Sequence, residues 1–133
     1  MENELSLVNE LKKSVYCSKR VDTAEEKKKL FNALEKCDAL LNDCEGSEID
    51  LADIYVEEKQ IDEEGGERKL KYRTILFDAN GQTYVTGSYG IYNVLKKIIG
   101  IYGLPDTWES PLKVKVEKKP LMNGKRTLTL ILI

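Results

Sequence analysis

Residues 69–87 read KLKYRTILFDANGQTYVTG, and this stretch decides the fold. Lys69, Lys71 and Arg73 alternate with Leu70 and Tyr72, the period-two pattern of a β-strand. Asp78-Ala79-Asn80-Gly81 then interrupts the pattern with turn chemistry. Asp suits the first turn position, and Gly81 is free to take the left-handed conformation that a three-residue hairpin loop with a bulge requires. This loop sets a register that pairs Phe77 with Thr83, Leu76 with Tyr84 and Thr74 with Thr86. A two-residue Asn-Gly loop would shift the pairing by one and exchange neighbours across the sheet. In the expected register Tyr72, Thr74, Tyr84 and Thr86 share a face, with Leu76 below them. Lys71 and Arg73 emerge on the other face or at the strand edge.

Downstream, Ser88 caps a helix over residues 89–102 whose buried stripe is Ile91, Leu95, Ile98 and Ile99, and Gly103 stops it. A loop carries Trp108 between Pro105 and Pro111, placed to cover one end of a barrel or to stack a base. Residues 112–119 alternate as a strand, Pro120 ends it, Asn123-Gly124 turns, and residues 125–133 form a last strand with Leu128, Leu130 and Leu132 on one face. Upstream, residues 49–61 read as a strand with Ile49, Leu51, Ile54 and Val56 inward. The broken alternation at Ala52-Asp53-Ile54 suggests a bulge or bend. Asp62-Glu63-Glu64 beside Gly65-Gly66 reads as a solvated hairpin tip rather than an acid/base pair or a calcium loop.

The order strand, strand, strand, helix, strand, strand predicts a mainly β protein with short helices, built as a five-stranded OB-like barrel over residues 47–133. Residues 1–46 are expected to form an N-terminal helical arm. Leu5, Val8, Leu11 and Val15 recur at helical spacing over residues 3–18. A second helix opens on the capping box of Thr23 and Glu26 and carries Leu30, Leu34, Cys37 and Leu41 in one stripe, with Gly46 ending it. The arm either caps one end of the sheet or mediates self-association.

The near-neutral total of −2 hides a dipolar chain: residues 69–133 carry a net +7 and residues 1–68 a net −9. Such asymmetry points to a polyanion, of which nucleic acid is the commonest. Histidine is absent from the 133 residues. That removes the commonest general base, the commonest transition-metal ligand and every Ser-His or Cys-His nucleophile pair. Phosphate-cradling glycine fingerprints are missing. Cys17, Cys37 and Cys44 form no C-x-x-C pattern and read as reduced packing residues. No enzyme, metal or cofactor is expected. No apolar run reaches the roughly 18–20 residues that span a bilayer, and Met1-Glu2-Asn3-Glu4 has no basic leader character. The expected location is cytoplasmic, with no membrane partner.

Binding single strands without sequence preference needs cations for phosphates and aromatic faces for bases. Tyr72 and Tyr84 offer the aromatics, and Lys71 and Arg73 the adjacent charge. Lys113, Lys115, Lys118, Lys119, Lys125 and Arg126 add a second basic group on the terminal hairpin. Tyr89, Tyr92 and Tyr102 flank the helix and are expected in the core or at its rim.

The series Arg73-Thr74-Ile75-Leu76, Asn80-Gly81-x-x-Tyr84, Ser88-Tyr89-Gly90-Ile91, Trp108-x-x-Pro111-Leu112-Lys113-Val114-Lys115 and the final strand from Gly124 to Ile133 resembles the single-stranded DNA-binding proteins of small protein-primed phages of Gram-positive bacteria, and related phage proteins. The likeness extends upstream through Leu30-Phe31-Asn32-Ala33-Leu34 to cover about residues 27–133. It implies an OB-like barrel, without metal or cofactor, that coats displaced single strands during replication. It places base stacking first on Tyr84, then on Tyr72 and Tyr55. The DNA-binding set is thus Tyr84, Tyr72, Tyr55, Lys71, Arg73, Lys113, Lys115, Lys125 and Arg126. The partners expected are single-stranded DNA, replication proteins and further copies of the chain bound through the N-terminal arm. The alternative reading is a non-catalytic protein-interaction adapter on the same scaffold.

Overall fold

The period-two residues between Glu48 and Asp78 build the two longest strands of a computed structural model, which describes residues 15–133 apart from 20, 63, 64 and 67. In chain order the elements are β1 (Val15–Cys17), α1 (Ala24–Glu35), β2 (Ala39–Leu40), β3 (Glu48–Asp62), β4 (Arg68–Asp78), β5 (Thr83–Thr86), α2 (Tyr89–Tyr102), β6 (Leu112–Pro120) and β7 (Arg126–Leu132). Short 3-10 turns occupy Leu41–Asp43 and Pro105–Thr107. All strands belong to one mainly antiparallel sheet in the order β2-β5-β4-β3-β6-β7, with β1 added to β3.

β3 organises the sheet. One edge pairs with β4 from Leu51 to Asp62. Along the other edge, Glu48–Leu51 pairs with β6, and beyond it Tyr55–Glu57 pairs with β1. The register slips between Leu51 and Asp53, the bulge expected at Ala52. An extra residue there raises local twist and bends the strand, and the sheet curls into a half-barrel. Among the described residues β5 and β7 share no ladder, so the sheet is not closed as a five-stranded barrel. The reason lies in β2, which no sequence pattern announced. It pairs parallel to β5, Ala39 with Tyr84 and Leu40 with Val85, and occupies the edge a closing strand would need.

The two faces of the sheet bury different clusters. The inner face, covered by α2, holds Leu41, Ile49, Leu51, Ile54, Leu76, Val114, Val116, Leu128 and Leu130 against Ile91, Leu95 and Ile98. Ile99 is only partly buried at its margin, and Trp108 packs there while its Nε1 donates to the Gly103 carbonyl at 2.9 Å. The outer face holds Tyr55, Ile75 and Phe77 under Leu30, Ala33 and Leu34 of α1. Leu132 follows the inner alternation but stays 41% exposed at the strand end.

The N-terminal expectations need correction. Val15–Cys17 is a strand on β3, not the end of a helix, and residues 3–14 of the helix expected over residues 3–18 lie outside the described residues. Its apolar spacing fits a strand equally well at the end: Val15 and Cys17 turn to the outer cluster while Tyr16 turns to the inner core. The second helix starts as expected, with Thr23 Oγ1 accepting from Glu26 N at 3.1 Å and donating to Glu26 Oε1 at 2.9 Å. It ends at Glu35, well before Gly46. Asp38 explains the early stop. Its backbone N–H donates to Thr83 Oγ1 at 3.0 Å and its carboxylate accepts from Thr83 N at 2.9 Å, which draws the chain into extended pairing with β5. The stripe residues beyond the helix still bury: Leu41 reaches the inner core, and Cys37 packs in the outer cluster. All three cysteines are free thiols.

Candidate nucleic-acid interface

The β4–β5 hairpin adopts the expected register, with Thr74 opposite Thr86, Leu76 opposite Tyr84 and Phe77 opposite Thr83. Asp78 N donates to the Gln82 carbonyl at 2.9 Å, and its carboxylate accepts from Asn80 N at 2.7 Å. These bonds leave a three-residue loop in which Gly81 sits at φ +91°. Thr74 and Thr86 lie together on the inner face but fully buried, Thr86 donating to Asn42 Oδ1 at 2.8 Å. Tyr84 is half-buried against the core, and its hydroxyl donates to Gln82 Oε1 at 3.0 Å. Its phenol is pushed above the ordinary value, first by burial and then by Asp78.

Tyr72 does not stand free. Its ring stacks on Tyr92 of α2, with centroids 3.8 Å apart and planes 12° from parallel. Tyr89 completes a cluster at 5.8 Å from Tyr72 and 6.0 Å from Tyr92, and it is the exposed member at 60%. Lys96 Nζ lies 5.3 Å from the Tyr92 centroid, a cation–π contact. The Tyr72 phenol is raised by desolvation, then by Tyr92 and Glu58. Both Tyr72 and Tyr84 therefore stay neutral through the physiological range and offer no repulsion to phosphate.

The remaining expected residues divide. Tyr55 faces outward beneath α1, 7% exposed, with its hydroxyl on Glu57 Oε2 at 3.2 Å. Arg73 is on the same side and donates through Nη2 to the Leu34 carbonyl in the last turn of α1. That turn contains no basic residue of its own, so the strand supplies the cation that its unpaired carbonyls favour. Lys71 shares this outer face and is exposed. Lys113 and Lys115 alternate with the buried Val114 and Val116 and so also project outward, Lys115 within 3.8 Å of Glu117. Lys125 and Arg126 sit on the exposed hairpin. Arg126 and Lys118 each approach Glu45 at 3.7 Å.

The structure thus puts Tyr72 and Tyr84 on the inner face, and Tyr55, Lys71, Arg73, Lys113 and Lys115 on the outer one. What it adds comes from α2. Tyr89, Asn93, Lys96 and Lys97 line a groove of about 550 Å³ between that helix and the β6–β7 hairpin, closed on the other side by Lys119 and Leu121. A second groove of about 560 Å³ holds Asn42, Ser88, Lys118 and Arg126, and Tyr89 borders both. The signal was present in sequence as the spacing i, i+4, i+7, i+8 from Tyr89, one stripe on the helix opposite Ile91, Leu95 and Ile98. Among the described residues no cluster of His, Cys, Asp or Glu is arranged to hold a metal ion, and no helix is long and apolar enough to cross a membrane.

A curled, mainly β sheet bordered by neutral tyrosines and lysine-lined grooves has the make-up of a module that takes nucleic acid. Residues 9–133, nearly the whole chain, match the phage single-stranded DNA-binding protein family, and the chain belongs to that family. No curated protein and no solved structure matches it.

Proposed function

We propose that this protein coats displaced single strands, without sequence preference, during phage or mobile-element DNA replication in the host cytoplasm. The family match over residues 9–133 carries the reading. The net +7 of residues 69–133 supports it, because phosphate neutralisation supplies most sequence-independent affinity. β3 to β7 act as an OB-like unit to which β1, α1 and β2 are added, and the N-terminal segment joins copies to one another. The protein works by binding alone, without catalysis or cofactor, and hands the covered strand to replication proteins. Tyr72 acts through the cluster that presents Tyr89, and Lys125 and Arg126 meet phosphates. Tyr55 and Arg73 serve the docking of α1.

Titration of labelled oligo(dT) at several salt concentrations, with matching duplex as competitor, tests the reading. The expected result is tight binding whose logarithm falls steeply with log salt, with little competition from duplex. Absence of binding at low salt would remove it in favour of a protein-interaction adapter.

A further inference from the structure

We propose that the bound strand runs through the groove between α2 and the β6–β7 hairpin and over Tyr89, not across the β4–β5 sheet surface; this path rests on the single-strand-binding reading above. Both faces of β4–β5 are already occupied. On the inner side Thr74, Leu76 and Thr86 are at most 1% exposed, and one face of Tyr72 is taken by Tyr92. On the outer side α1 covers Ile75 and Phe77. At these residues neither surface is open to a nucleotide.

The groove beside α2 has what a single strand needs and the sheet lacks. Its volume of about 550 Å³ is within the range that takes a small organic group. Val94 and Leu121 give it apolar walls, and Tyr89 offers a ring that is 60% exposed. Lys96, Lys97 and Lys119 line the same groove. Bases settle against Tyr89, Val94 and Leu121, while the three ammonium groups take phosphates. Past Tyr89 the second groove continues the path to Lys118 and Arg126.

The arrangement also explains a preference for single strands. A duplex keeps its base faces stacked on one another, so it can use the lysines but not the ring or the apolar walls. The same groove therefore binds both forms through charge and only the single strand through stacking.

Gly90 holds the groove in shape. A Cβ at this position would lie 2.3 Å from the Leu128 carbonyl oxygen, so the missing side chain lets the first turn of α2 rest on β7 and brings Tyr89 over the hairpin.

The test uses the full chain with oligo(dT) over a salt series, comparing three variants with the parent. Lys96→Gln/Lys97→Gln/Lys119→Gln is expected to weaken binding and flatten the log–log salt slope by about 2, at roughly 0.7 for each phosphate no longer neutralised. Tyr89→Ala is expected to weaken single-strand binding about tenfold and leave weak duplex binding unchanged, so the preference between forms narrows. Lys113→Gln/Lys115→Gln, on the outer face, is expected to lose far less. These side chains are exposed or line an open groove, and unchanged far-UV circular dichroism and melting temperature establish that each variant is folded. Photo-crosslinking of an iododeoxyuridine oligonucleotide is expected to mark Tyr89. A parent protein that binds oligo(dT) while the triple variant and Tyr89→Ala bind equally well would overturn the path alone. A parent protein that binds no oligo(dT) would overturn the functional reading with it.

Discussion

Tyr72 of β4 and Tyr92 of α2 stack face to face at 3.8 Å, so one face of a ring expected to receive a base packs on a helix. Such pairs contribute about 0.5–1.5 kcal/mol beyond the area they bury. Tyr72→Ala is therefore expected to lower the unfolding free energy by about 1–3 kcal/mol in urea denaturation, with Tyr72→Phe close to wild type because the ring does the packing. A Tyr72→Ala protein of unchanged stability would separate α2 from this contact.

Two glycines of α2 predict opposite signs for the same substitution. At Gly100 an added Cβ meets nothing within 4 Å, and at Gly90 it meets the Leu128 carbonyl oxygen at 2.3 Å. Alanine is the better helix former by about 1 kcal/mol, so Gly100→Ala should raise the melting temperature. At Gly90 the clash with backbone outweighs this gain, and Gly90→Ala should destabilise by about 1–3 kcal/mol. Equal shifts at the two positions would contradict the close approach of α2 to β7.

Burial first, and then Glu57, pushes the Tyr55 phenol up to about 12 from its ordinary 10.0. A pKa raised by folding means that the fold favours the protonated form. The associated stability is fully present below about pH 10 and is lost as pH climbs toward about 12. Unfolding measured across this window should show a decline of at most about 1.4 kcal/mol per pH unit from this one group. Tyr55→Phe should reduce the slope by that contribution; an identical slope would place the titration elsewhere.

Arg73 distinguishes a structural cation from a phosphate contact. Its bond to the Leu34 carbonyl ties β4 to the end of α1, and hydrogen bonds from charged groups contribute about 1.5–3 kcal/mol. Arg73→Met is expected to lower stability by about that amount and leave the salt slope of DNA binding nearly unchanged. A large change in slope with no loss of stability would return Arg73 to the DNA.

Glu45 lies 3.7 Å from both Lys118 and Arg126, two cations of the proposed DNA path. Exposed pairs of this kind contribute up to about 1 kcal/mol. Glu45→Gln is expected to tighten oligo(dT) binding by about two- to fivefold at low salt and to steepen the salt dependence. Weaker binding would show that Glu45 orders the two cations rather than competing for them.

The sequence by itself determined the local pieces. Alternation marked β3 to β7, the Asp78–Gly81 loop set the hairpin register, and Thr23 and Ser88 opened the two described helices, because each of these rests on contacts between residues close in the chain. The broken alternation at Ala52 likewise announced the bulge that curls the sheet. Tertiary structure decided which surfaces remain open. The pairing of β2 with β5 spans more than 40 residues and depends on Asp38 meeting Thr83. The stacking of Tyr72 on Tyr92 and the bond of Arg73 to Leu34 likewise join elements remote in sequence. Alternation assigns a strand residue to a face but says nothing of what later covers that face. The proposed path consequently lies along α2 and the hairpin, where packing leaves Tyr89 and the lysines accessible, and not on the sheet, where the expected residue types were legible.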